Sequence, residues 1–117
     1  MDVSGVWDVE IALHASTVQH SLVLDQVGDM VTGRHHTPHA QHEATGTVRG
    51  HRVKVTAEHP FEGTSLIYTF QGEVHGDRID GDVEIGTEGQ SAPGPLNRRE
   101  CGSYRWRGKK AGPQATS

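Results

Sequence analysis

"VSGVWDVEIAL", residues 3 to 13, places Val3, Gly5, Trp7, Val9, Ile11 and Leu13 on one parity and the charged Asp8 and Glu10 on the other. Successive side chains on a strand point to opposite faces, so a period of two predicts a strand with one buried and one wetted face. The same period recurs along the chain. "VQHSLVLDQ" (18–26) puts Val18, His20, Leu22 and Leu24 on one face, with Val23 and Val27 on the other. "MVTGRHHT", "QHEATGTV", "RVKVTAEH", "SLIYTFQGEV", "RIDGDVEI" and "GSYRWRG" follow, making eight expected strands and no competing helical repeat.

The connections agree with that parse. "VGDMV", "VRGHRV" and "VHGDRI" each set a Gly and a polar residue between two strands, as short hairpins require, and the last two look like an internal repeat. Gly33, Gly46, Gly72 and Gly81 fall inside strands, where they suit the sharp bends of a small closed barrel better than a flat sheet. The expected fold is therefore all-β: an eight-stranded antiparallel up-and-down barrel over residues 1–110, with a loose tail at 111–117. Residues 86–100 form the one long connection, either a lid or binding loop or a surface excursion.

Composition fits one domain with one core. Of 117 residues, 32% are hydrophobic and 15 are glycine, a balance for short strands and tight turns. A formal charge of −4 lacks the basic excess that phosphate backbones attract, so nucleic acid is not an expected partner. The single Cys101 excludes an internal disulfide, the start "MDVSGVW" has no signal-peptide pattern, and no apolar run is long enough to span a membrane. A cytoplasmic location is expected. Outward Val6, Val23 and Ile67 are candidates for a homodimer patch.

Gly5-Val6-Trp7 on the first strand, followed by eight up-and-down strands, resembles the calycin superfamily of lipocalins and avidins over residues 3 to 108. The resemblance implies a closed barrel. Similar small barrels include the avidin-like spirotetronate cyclases, for which it implies ring closure of polyketides in an apolar interior. The biotin-site residues of avidins have no counterpart in this sequence, so the resemblance bears on fold and leaves the activity open.

In a meander every second junction lies at the same end of the barrel. With the turns at Gly28, Gly50 and Gly76 at the bottom, the junctions near Ser16, Pro38 and Glu62 and the long loop are at the top. Parity then points His20, His35, His42 and His59 inward, each expected as the last inward residue before the top, with Pro60 ending the fifth strand. His51 and His75 are expected in solvent and His36 and His14 outward. His39 falls in a top turn, and His14 and His39 stand in reserve.

Neutral imidazole suits Zn, Fe, Cu or Ni, and three inward histidines with an open position describe a catalytic metal site. Four allow one to spare. The expected cofactor is thus one divalent transition metal held by His20, His35, His42 and His59. Glu62 is read as a fifth ligand, a general base or a solvated loop carboxylate, and Tyr68 as a catalytic hydrogen-bonding group. The alternative is metal-free, with the histidines bonded to Tyr68, Gln26 or a ligand. Below them Trp7, Leu22, Leu24, Val53, Val55, Phe70 and Val83 are expected to fill the barrel, with Tyr68, Tyr104 and Trp106 as aromatic walls. Cys101 is a soft ligand, a nucleophile or an inert residue at a strand entrance. Glu43, Glu58 and Glu84 fall on the outer face.

No GxSxG, P-loop, GxGxxG or HExxH motif is present, and "HxxHxxH" at His36, His39 and His42 contains Pro38 and is no helical metal motif. Two functions follow as expectations. One is a small metalloenzyme acting on a small aromatic or enolisable metabolite, as a Lewis acid or through dioxygen. The other is a metal-free binder or cyclase of a hydrophobic metabolite, with the histidines as anchors and acid or base groups. A non-enzymatic metal or haem binder is a third.

Overall fold

The computed structural model describes residues 2–13, 15–38, 40–61, 64–87 and 102–111. Its strands are β1 Gly5–Ala12, β2 Thr17–Val27, β3 Met30–His36, β4 Gln41–Arg49, β5 Arg52–Phe61, β6 Thr64–His75, β7 Arg78–Thr87 and β8 Gly102–Lys110. Each pairs antiparallel with the next, and β8 pairs back onto β1, so the sheet closes into an eight-stranded up-and-down barrel. Closure leaves no long unpaired edge for another chain to extend.

Burial follows the alternation. Trp7, Val9 and Ile11 on β1 and Leu22 and Leu24 on β2 face the core, as do Val53, Val55 and Ala57 on β5 and Phe70 and Val74 on β6. The expected filling of the lower barrel is present, and Tyr104 and Trp106 are buried beside it. Burying a side chain such as Phe70 stabilises the fold by roughly 1.5–3 kcal/mol. The Trp106 Nε1–H finds an acceptor in the Gln71 carbonyl at 3.1 Å, so its polar atom is not stranded.

The bottom end is stitched in a repeated way. Gly28, Gly50 and Gly76 adopt left-handed φ values of 63°, 59° and 66° in the three hairpin turns. The carbonyls of Asp29, His51 and Asp77, each one residue further on, accept from the backbone N–H of Val48, Val74 and Lys110. The internal likeness of the turns is thus a likeness of hydrogen bonding.

Four boundaries differ from the sequence reading. The first strand starts at Gly5, not Val3: the chain bends there, and fully buried Val3 plugs the bottom. Gln26 holds the plug in place. Its Oε1 accepts from Val3 N–H at 2.9 Å, and its own N–H donates to Ser4 Oγ at 2.9 Å, so it serves the bottom and not the histidines. Pro60 does not end β5, which runs on to Phe61. Beyond Ala57 that strand pairs with β6 but not with β4, so a residue lacking an N–H is tolerated on the open side. Gly86 and Thr87, expected in the long loop, pair with Ile67 and Leu66 as the end of β7. At the other terminus Ala111 N–H donates to the Val6 carbonyl at 2.8 Å, which anchors the first residue of the expected tail.

Candidate functional site

Small residues line the inner wall of β3 and β4: Gly33, Ala44 and Gly46. A Cβ on Gly33 would stand 1.8 Å from the Val23 carbonyl oxygen, and one on Gly46 would stand 1.9 Å from that of Lys54. Those approaches mark sharp bends, and with so little bulk between them β3 and β5 touch across the interior. Side chains two strands apart can therefore meet.

The histidines do so. His35 opposes His42 in the β3–β4 register, and the β4–β5 register, extended two residues past the last pair Ala44–Ala57, sets His42 against His59. That ladder has already ended there, and the two rings span the split with centroids 4.5 Å apart at 77°. His35, fully buried, is the centre of the group. Its Nε2 lies 2.9 Å from His20 Nδ1, and its Nδ1 lies 2.7 Å from His59 Nε2. Three imidazoles from β2, β3 and β5 thus form one hydrogen-bonded chain.

Tyr68 on β6 touches all three, with ring centroids 5.7, 4.7 and 5.4 Å from those of His20, His35 and His59. Beneath it, Phe70 meets His35 edge-on at 5.2 Å and Trp106 at 5.0 Å, which joins the imidazoles to the core. The role of Phe70 as floor was hidden in the sequence, where its parity marks only core.

Burial sets the charge of these rings. His35 is pushed down to about 2, first by loss of hydration, then by repulsion from a proton on His20, His59, His36 or His42. His20 falls to about 4 through burial and then His59, and His59 falls to about 4 through burial and then His42. All three are neutral at pH 7. Each neutral ring offers one donor and one acceptor, as a chain of ring-to-ring bonds requires.

The four expected metal ligands are brought together, but their nitrogens do not converge. His35 turns different nitrogens to His20 and His59, and the spacings of 2.9 and 2.7 Å are those of hydrogen bonds. Two nitrogens sharing a tetrahedral ion would stand about 3.3 Å apart, given metal–nitrogen bonds of about 2.0–2.1 Å. Among the described residues no group of three or more His, Cys, Asp or Glu is arranged to hold a metal.

His20 is not the last inward residue of its strand, since Val18 lies one inward step nearer the top, opposite Ile11. His51 and His75 are exposed, Glu43, Glu58 and Glu84 lie outside, and His36 is half-buried. His14, His39, Glu62, Cys101 and the expected connection from 88 to 100 lie outside the described residues. Val6 and Val23 oppose each other and are 42% and 37% exposed, whereas Ile67 sits on β6, across β7 and β8 from them, so the three do not make one patch.

The rim completes the geometry. Leu13, Val18, Leu66 and Tyr68 pack against the core yet remain partly accessible, as do His20 and His42, so solvent reaches the inner wall at the top. At the bottom, Val3, Leu24, Val48, Val53, Val74 and Ile79 are all buried. The top has two sides. Imidazoles lie on β2 to β5, with Val18 above His20, while Leu66, Tyr68, Ile85 and Tyr104 on β6 to β8, and Leu13 just past β1, cover the rest. Parity with Tyr68 would have identified Leu66. Compared with known proteins, the chain matches no family model, no curated protein and no solved structure.

Proposed function

We propose that the protein is a calycin-like barrel enzyme that receives a small organic metabolite in its open end and acts on it by acid–base chemistry. An eight-stranded interior has room for side chains and one small ligand, and here the lower half is filled. The observation that carries the reading is the two-sided rim. Its apolar side suits an aromatic or alicyclic body, and its imidazoles, with Tyr68, suit an oxygen head that both accepts and donates hydrogen bonds. Neutral imidazoles place no fixed charge against that head, so a neutral carbonyl, enol or phenol fits better than a permanent ion. Negative charge developing on the oxygen would raise the oxygen's own basicity, so a ring N–H aimed at it could act as a general acid.

A divalent transition metal, Zn, Fe, Ni or Cu, is the second reading. It is favoured by four imidazoles on four successive strands, of which three are neutral at pH 7 and so need lose no proton to bind. In that reading the rings of His20, His35, His42 and His59 turn to share the ion, which would polarise the same oxygen head.

Two measurements on untagged protein decide. Titration with the neutral enolisable ketone 2-indanone, followed by NMR, should shift the ring signals of His20, His42 and Tyr68 and leave those of His51 and His75 unmoved. Unmoved rim signals would remove the binding reading. Elemental analysis with zinc titration tests the second: one bound equivalent, lost in a His35→Ala, His42→Ala double variant, would replace the metal-free chemistry.

A further inference from the structure

On the outside of the barrel, charge is matched on one side and mismatched on the other. Each cation of β8 lies opposite a carboxylate: Lys109 faces Asp8, Arg107 faces Glu10 and Asp80, and Arg105 faces Asp82, with which it pairs at 3.3 Å. The outer face of β4 and β5 does the reverse. At the bottom Arg49 is registered against Arg52, and one step past Ala44–Ala57, towards the top, the same register sets Glu43 against Glu58. Like charges directly opposite each other weaken a sheet. All four side chains are exposed, and none forms an ion pair with another described residue. Their cross-strand neighbours do not neutralise them. Arg34, opposite Glu43, makes no ion pair, and Glu73, opposite Arg52, lies 3.8 Å from His75 instead.

Between the acidic and the basic pair the face carries one charge. Thr45 opposes Thr56, and Thr47 opposes Lys54. The first of these rows continues to Thr32 on β3 and Thr69 on β6, so four threonines stand side by side across four strands. A hydroxyl both donates and accepts, so such a row can meet a copy of itself. The acidic and basic pairs are six residues apart on either strand, about 20 Å at about 3.4 Å per residue.

We propose that two copies of this chain associate through the outer face of β4 and β5, turned end over end, so that Glu43 and Glu58 of each copy lie over Arg49 and Arg52 of the other. A twofold axis lying in the interface and crossing the strands midway between the two charged pairs produces this arrangement. It keeps β4 over β4 and β5 over β5 while exchanging top for bottom, so Glu43 meets Arg49 of the other copy and Glu58 meets its Arg52. The threonines then meet near the centre. An axis along the strands would set acid over acid and base over base, so charge selects the orientation. The closed barrel has no edge to extend, which leaves its faces for association. A footprint about 20 Å long on a curved surface is at the small end for a specific interface, so the dimer is weak and depends on its charges.

Sedimentation velocity of the untagged chain at pH 7.5 tests the proposal. In about 0.05 M NaCl the mean mass should rise towards twice that of one chain as the protein approaches about 1 mM, and association should weaken about tenfold or more in about 0.5 M NaCl. Arg49→Glu with Arg52→Glu makes both ends of the face acidic, and Glu43→Arg with Glu58→Arg makes both basic. Each double variant should be monomeric alone, and an equimolar mixture of the two should associate. The chain carrying all four substitutions keeps the formal charge of −4 and regains opposed ends, so it should dimerise as the parent does. Circular dichroism checks that the variants are folded, and the fourfold variant keeps the test open where a double variant does not fold. A parent that stays monomeric overturns the proposal, and so does a dimer that survives in both double variants. A mixture that associates while the folded fourfold variant stays monomeric also overturns it, because attraction between net charges then accounts for the mixture.

Discussion

His35 Nδ1 and His59 Nε2 lie 2.7 Å apart although their strands are not neighbours in the barrel. The contact joins β3 to β5 beside His42, the β4 residue in register with both, and it fixes how His35 uses its second nitrogen. Structure and chemistry meet at this pair, and most of the expected behaviour can be derived from it.

Acid should unfold the protein earlier than its carboxylates alone would. The folded values of about 4, 2 and 4 for His20, His35 and His59 lie below the ordinary 6.5, so the unfolded chain takes up protons first. Stability from these neutral rings is complete above about pH 6.5 and is lost as the pH falls, with His20 and His59 ceasing to contribute to the slope below about pH 4. At pH 5 the loss is at most about 2 kcal/mol for each ring, from 1.36 kcal/mol per pKa unit. Thermal unfolding followed by circular dichroism between pH 7.5 and 4.5 should show Tm falling steeply below pH 6.5. A flat profile would mean that the rings are solvated.

Replacing His35 separates packing from proton affinity. His35→Ala leaves a hole beside Phe70 and Tyr68 and should cost about 2–4 kcal/mol in urea unfolding at pH 7.5. His35→Phe fills the space and should cost less, while its stability falls less steeply between pH 6.5 and 5 than that of the parent. Equal pH dependence in the two proteins would exclude His35 as a source of acid sensitivity.

Two glycines on the same fold should respond oppositely to alanine. At Gly46 the new methyl meets the Lys54 carbonyl at 1.9 Å, so Gly46→Ala should destabilise by about 1–3 kcal/mol or more and disturb the β4–β5 bend. At Gly86 no atom lies within 4 Å of the added Cβ, and Gly86→Ala should be neutral or stabilise by up to about 1 kcal/mol. Urea midpoints of the two variants decide.

The plug at the bottom should depend on Gln26. Gln26→Leu removes the acceptor of Val3 N–H and the donor to the Gly28 carbonyl, 2.9 Å away in each case. A loss of about 1–2 kcal/mol is expected, with faster amide exchange at Val3 and at the Trp7 indole N–H, which donates to the Val3 carbonyl. Unchanged exchange at Trp7 would show that the plug is held by packing alone.

The sequence by itself determined the number of strands, the three glycine turns at one end and the inward side of the sheet for His20, His35, His42 and His59. These are local properties, because a period of two and a left-handed turn position are decided by a few adjacent residues. It did not determine that Gln26 ties the N-terminal segment at the bottom, that Pro60 sits inside β5, or that His35 bonds to His20 and His59 at once. Parity states that a ring faces inward. Which nitrogens meet depends on the relative register of strands distant in sequence and on how closely β3 and β5 approach, and the carbonyls against Gly33 and Gly46 set that approach only once the barrel has closed.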